Sequence, residues 1–99
     1  MRKYGKVDDN QNIIVRYLRE VGAYVQSLAG VGNGCPDLLV GFRGKTYLME
    51  IKDGDKTESK QALTPEEIFW HRDWQGGSLN VVHDELEALR IIGASSSRS

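Results

Sequence analysis

The chain has 99 residues, enough for one small domain that buries a smaller fraction of its surface than larger domains do. Thirteen Lys and Arg against fourteen Asp and Glu give a formal charge of -1, which excludes a global positive field, so any polyanion site has to be local. The single cysteine, Cys35, excludes an internal disulfide framework, and the N-terminal residues lack the apolar core of a signal peptide or spanning helix, so an intracellular location is expected.

After a short basic arm (Arg2, Lys3, Lys6), Ile14, Tyr17, Leu18 and Val21 recur at helical spacing. They predict a first helix that Asp8 or Asp9 caps and Gly22 ends. Ala23 to Leu28 reads as a strand, and Ala29-Gly30-Val31-Gly32-Asn33-Gly34 as a glycine-rich loop. A hairpin follows. The run from Asp53 to Gln61 holds no apolar residue and is expected to be an exposed connection whose order depends on a ligand. Thr64-Pro65-Glu66-Glu67 starts a second helix, with Thr64 as cap, Pro65 at the first helical position and Glu67 closing a capping box.

That helix carries Ile68, Phe69, Trp70 and Trp74, whose expected place is the core or a subunit contact, with base stacking as the alternative. Gly76-Gly77 breaks it. Leu79 to His83 is a short strand, and Asp84 with Glu87 caps a last helix bearing Leu86, Leu89 and Ile92. The expected organisation is one α/β domain over residues 1–93 in the order α-β-β-β-α-β-α, followed by a disordered tail at 94–99.

The hairpin carries chemistry as well as core. If Arg43-Gly44 is a two-residue turn, Phe42 lies opposite Lys45, Val40 opposite Tyr47, Leu38 opposite Met49 and Asp37 opposite Glu50. A three-residue loop with a bulge would shift that pairing by one. In the two-residue register Asp37, Glu50 and Lys52 share one face, while Leu38, Val40, Phe42, Tyr47, Met49 and Ile51 form an apolar one. Opposed carboxylates, about 4.5–5.5 Å apart at Cβ, destabilise a sheet unless something compensates. A divalent cation does so, and oxygen ligands suit Mg²⁺ or Mn²⁺. Glu50 with Lys52 alone reads equally as a surface ion pair, and Asp37 alone as a turn residue after Pro36. His71 and His83 have no partner at metal spacing.

With a glycine-rich loop before it, G-C-P-D followed by a strand and then E-I-K resembles the PD-(D/E)XK nuclease signature. More narrowly, Asp8 to Ile92 resembles a stand-alone virus-type replication-repair nuclease (VRR-NUC) domain, with L-T-P-E-E-I-F-W-H similar to that family's second conserved stretch. The resemblance implies a restriction-endonuclease-like core with a mixed sheet. It also implies Mg²⁺- or Mn²⁺-dependent hydrolysis of phosphodiester bonds in branched DNA such as four-way (Holliday) junctions, in the cytoplasm of a bacterial or phage-infected cell.

By the same resemblance Asp37 and Glu50 hold the metal with the backbone carbonyl of Ile51, and Lys52 orients or activates the attacking water. Gln11, or Asp8 one turn earlier, matches the acidic or amide residue of the first helix. Gln11 stands where many relatives have glutamate, and Glu67 where many have glutamine. Tyr4, Arg43, Lys45, Lys56 and Lys60 are candidates for phosphate contacts that position DNA without reading sequence. A homodimer with two opposed active sites is expected. The competing readings are a DNA-binding module with a degenerate site, a restriction-like endonuclease, and, for a monomer, a flap-type nuclease.

Overall fold

The computed structural model describes residues 10–94, so Tyr4, Asp8, Asp9 and the basic arm lie outside the described residues, as do 95–99. The elements are α1 (Gln11–Glu20), β1 (Tyr24–Ser27), β2 (Leu38–Phe42), β3 (Lys45–Ile51), α2 (Glu58–Gln61), α3 (Pro65–Asp73), β4 (Ser78–Val82) and α4 (Glu85–Ile91). The four strands form one sheet in the order β1-β2-β3-β4. The first three are antiparallel and β4 runs parallel to β3, so the sheet is mixed. Apart from α2, a single turn, the order is the expected one.

The hairpin takes the two-residue register. Phe42 pairs with Lys45, Val40 with Tyr47 and Leu38 with Met49. Arg43 and Gly44 both have positive φ, 52° and 82°, as a type I′ turn requires and as the twist of the flanking strands favours. All six residues assigned to the apolar face are buried. They form one core with Ile14 and Leu18 of α1, Val82 of β4, and Ala88 and Leu89 of α4, so α1 and α4 cover the same side of the sheet.

Several local expectations are corrected. The side chain of Asn10, just before α1, makes no capping bond; its Nδ2 donates to the carbonyl of His83 at 2.7 Å and ties the helix start to the end of β4. Val21 is exposed, because α1 turns its buried stripe through Gln11, Ile14 and Leu18. Strand β1 is shorter than Ala23–Leu28: Ala23 already closes the end of α1, its amide bonded to Leu18 O at 3.0 Å. Strand β4 begins and ends one residue before the expected span.

The polar run after β3 contains α2 and is closed by its own hydrogen bonds, Gln61 Nε2 donating to the carbonyls of Lys56 and Gly54 at 2.6 and 3.3 Å. Leu86 is exposed, and Ala88 and Leu89 carry the buried side of α4. Asp84 Oδ1 caps α4 from Glu87 N at 2.8 Å, while Glu87 itself reaches back to His83 N rather than to the cap residue. Ala94, assigned to the tail, is buried in the core and donates to Leu89 O at 2.9 Å.

The largest correction concerns α3. Its capping box is present as expected, but none of its residues is buried, and Ile68 and Phe69 are 52% and 54% exposed. The aromatic residues turn away from the core: Trp70 stacks on Trp74 at 5.1 Å, and the Arg72 guanidinium lies 4.7 Å over the Phe69 ring. The physical reason lies beneath the helix. The part of the sheet that α3 touches presents Glu50 and Lys52, and α3 meets them with Glu67 and His71.

Candidate active site

The site sits where the hairpin leaves regular pairing. Leu38↔Met49 is the last pair of the β2–β3 ladder, and Asp37 lies one residue beyond it. Its backbone is held from both sides: its amide donates to Met49 O at 3.0 Å and its carbonyl accepts from Leu28 N at 2.8 Å. Its side chain is held too, Oδ2 accepting from Ile51 N at 2.7 Å. The carboxylate thus takes an amide that a longer strand would have paired. The preceding Pro36 is fully buried, which fixes the chain at the point where it enters the site.

Glu50 and Lys52 are two residues apart near the end of β3, on the face opposite the apolar core. Both are buried, Glu50 to 2% exposure and Lys52 to 9%. Lys52 Nζ lies 3.8 Å from Glu50 Oε2 and 2.9 Å from Glu67 Oε1. Glu67 Oε1 also accepts from Thr64 N at 2.9 Å. The carboxylate that closes the capping box of α3 therefore also anchors the lysine. His71, one turn later on the same helix face, places Nε2 3.9 Å from Glu50 Oε1.

The approach of α3 depends on the glycine loop. Gly34 has φ +85° and packs so tightly on the first turn of α3 that an added Cβ would collide with the backbone carbonyl of Glu66.

The electrostatics follow from three carboxylates gathered around one buried ammonium. Burial, then the charge of Asp37 and a hydrogen bond shared with it, then Glu67, push the Glu50 carboxyl up to about 9, with Lys52 only partly offsetting them. Burial also raises Asp37, against the opposing pull of the Ile51 amide. For Glu67 burial acts upward but is outweighed by the Thr64 amide and by Lys52, so its carboxyl lies below the ordinary value. Burial pushes His71 down, and burial with the nearby Glu50 and Asp37 pushes the Cys35 thiol up, which keeps it protonated.

Asp37 and Glu50 are therefore short of positive charge, and Glu50 Oε1 is buried with no hydrogen-bond partner. These are the properties of a pair that accepts a cation. Among the described residues no three His, Cys, Asp or Glu side chains are grouped to hold a metal ion. Two adjacent carboxylates still fit an ion such as Mg²⁺, which keeps several of its waters.

The other expected residues are placed less closely. Gln11 opens α1 and is buried, and no hydrogen bond joins its side chain to Asp37, Glu50 or Lys52. Arg43 and Lys45 are exposed at the hairpin tip, Arg43 over the Phe42 ring at 4.8 Å. The length of β2 puts that tip roughly 16 Å from the carboxylates. Lys56 is exposed in the connection after β3. The side chain of Lys60 lies outside the described residues, as does Tyr4.

Two residues set aside in the sequence, Glu67 and His71, join the site. The available signal was their i, i+4 spacing, which puts them on one face of a helix.

Among solved structures, a chain described as "VRR_NUC domain" superposes with a TM-score of 0.58 at 25% sequence identity, covering 84% of this chain and 94% of that chain. No protein-family model and no curated protein matches the sequence. The mixed-sheet α/β fold is consistent with a PD-(D/E)XK-like fold. Within that type the structural likeness supports assignment of the chain as a VRR-NUC domain.

Proposed function

We propose that this domain is a Mg²⁺- or Mn²⁺-dependent, structure-selective endodeoxyribonuclease that hydrolyses phosphodiester bonds at four-way junctions or related branched DNA. The observation that carries the reading is the buried Glu50, its Oε1 unpartnered, beside Asp37 and a lysine fixed by a third carboxylate.

Asp37 and Glu50, with the Ile51 carbonyl, would hold the ion. When bound, the cation supplies Lewis-acid polarisation of a phosphoryl oxygen and makes water a better nucleophile. Lys52 presents its ammonium donors to the attacking water or to charge developing on the phosphoryl oxygens. Glu67 holds that ammonium in place, since Thr64 N and Lys52 Nζ converge on one of its oxygens. Gln11 would bond a water of the site or the scissile phosphate.

Arg43, Lys45, Lys56, Lys60 and Tyr4 would contact the DNA backbone, and selection would be by shape, because the chain carries no recognition helix or zinc-finger spacing. The apolar residues left exposed on α3, Ile68, Phe69 and Trp74, support a two-fold homodimer with paired sites. The substitution of Gln11 for an acid favours the second reading, a DNA-binding module of the same fold without turnover.

The deciding experiment compares wild type with Glu50→Ala on a labelled four-way junction, a 5′ flap and a plain duplex, each with Mg²⁺ or Mn²⁺. Junction cuts that disappear in the variant support the nuclease, and symmetric paired cuts support the dimer. DNA binding without cleavage of any substrate supports the binding module.

A further inference from the structure

Glu50 Oε1 and His71 Nε2 are both buried and both lack a hydrogen-bond partner. They face each other across 3.9 Å. The gap is longer than a hydrogen bond, and since neither atom is open to a water, a small rotation of one side chain would close it directly. Leaving two such atoms unsatisfied costs their desolvation with no return. Among the described residues, the charged groups around the gap are Glu50 of β3, Lys52 just beyond it, Asp37 just before β2 and Glu67 of α3. Burial favours the neutral imidazole, which can carry its N–H on Nε2 and turn it to the Glu50 carboxylate. Glu50 is thus addressed on both oxygens, Oε2 by Lys52 at 3.8 Å and Oε1 by His71.

We propose that His71 is a positioning residue of the cation site, holding Glu50 Oε1 directly through Nε2 and so fixing how that carboxylate is turned toward the ion. The inference rests on the nuclease reading of Asp37 and Glu50. It gives α3 a second role beyond anchoring Lys52, because the same helix face then sets both the lysine and the metal-facing carboxylate.

The test is Mn²⁺ affinity, read from the paramagnetic resonance of the free ion, with no cleavage involved. His71→Ala should weaken binding by about 10–100-fold, the usual cost of losing a group that orients a ligand. His71→Gln, whose amide reaches about where Nε2 lies, should recover most of the loss. Phe69→Ala, an exposed change on the same helix, should leave the affinity unchanged.

An unchanged affinity in His71→Ala, with binding lost in Glu50→Ala, would overturn the role of His71 and leave the site reading intact. So would an equal loss in Phe69→Ala, which would mean that any loosening of α3 is enough, or a His71→Gln variant as weak as His71→Ala. Mn²⁺ binding that survives Glu50→Ala would instead overturn the site reading itself.

Discussion

The two faces of the sheet are held by different forces. On one, α1 and α4 bury Ile14, Leu18, Ala88 and Leu89 against Leu38, Val40, Met49 and Val82. On the other, no residue of α3 joins the core, and the helix is held by the Lys52–Glu67 ion pair, by the approach of its first turn to Gly34 and by its covalent neighbours. The first face can be stable without being functional. The second is assembled from the residues proposed to do chemistry, so its order and its activity are coupled: whatever moves α3 moves the groups around Lys52 and Glu50.

The comparison breaks most sharply at Glu50. Glu50→Ala should lower cleavage by at least about 10²-fold, the rate equivalent of losing a few kcal/mol of metal-dependent stabilisation. Its chemical denaturation midpoint in chelator should be equal to or higher than that of wild type, because a carboxyl displaced to about 9 is a strained one. On the opposite face the outcome should invert. Leu18→Ala, which empties a fully buried site, should cost about 2–5 kcal/mol in a urea titration. Any cleavage lost should then track the unfolded fraction. Phe69→Ala on α3, by contrast, should change the stability of the monomer by no more than about 0.5 kcal/mol.

The same division explains what could be read from the chain. The hairpin was legible because its alternation has period two, and of the two registers its turn residues allow, the two-residue one that forms places Asp37, Glu50 and Lys52 together at one end. Glu67 was legible only as a helix cap. Thr64-Pro65-Glu66-Glu67 accounts for it completely, and nothing local shows that the oxygen bonded to Thr64 N also meets Lys52. His71 finds its partner 21 residues earlier in the sequence, on another element, beyond the reach of spacing rules. Of the two places expected for the aromatic residues of α3, the core is overturned for the complementary reason: their composition suits a core, but the sheet beneath them is polar. Helix periodicity reports the shape of a face and says nothing of what it lies against.

Gly34 offers an intermediate perturbation, aimed at the contact between loop and helix. Gly34→Ala forces a left-handed conformation on alanine and sets its Cβ against the carbonyl of Glu66, so α3 has to shift. The expected cost is about 1–3 kcal/mol in stability. The loss of cleavage should exceed what that destabilisation explains, because Glu67 leaves Lys52 along with the helix. Cleavage at wild-type rate by the folded fraction would show that α3 does not set the lysine.

The gentlest perturbation is pH in the absence of metal. The Glu50 carboxyl rises from its ordinary 4.5 to about 9 on folding, and Asp37 moves the same way, so between those limits the folded protein holds more protons than the unfolded chain. The stability gained from this pair is fully present below the ordinary carboxylate range and is lost as pH climbs toward 9. Glu67 moves oppositely, its contribution being lost as pH falls through its lowered value, which places it outside this window. His71, pushed below its ordinary 6.5, works against this trend up to about that pH, so in chelator Tm should fall chiefly from about pH 6.5 to pH 9, and Glu50→Ala should flatten most of that slope. Saturating Mn²⁺ should flatten it as well, because a cation that neutralises the two carboxylates removes their reason to hold a proton. A slope unaffected by Glu50→Ala would move the origin of the pH dependence away from this face.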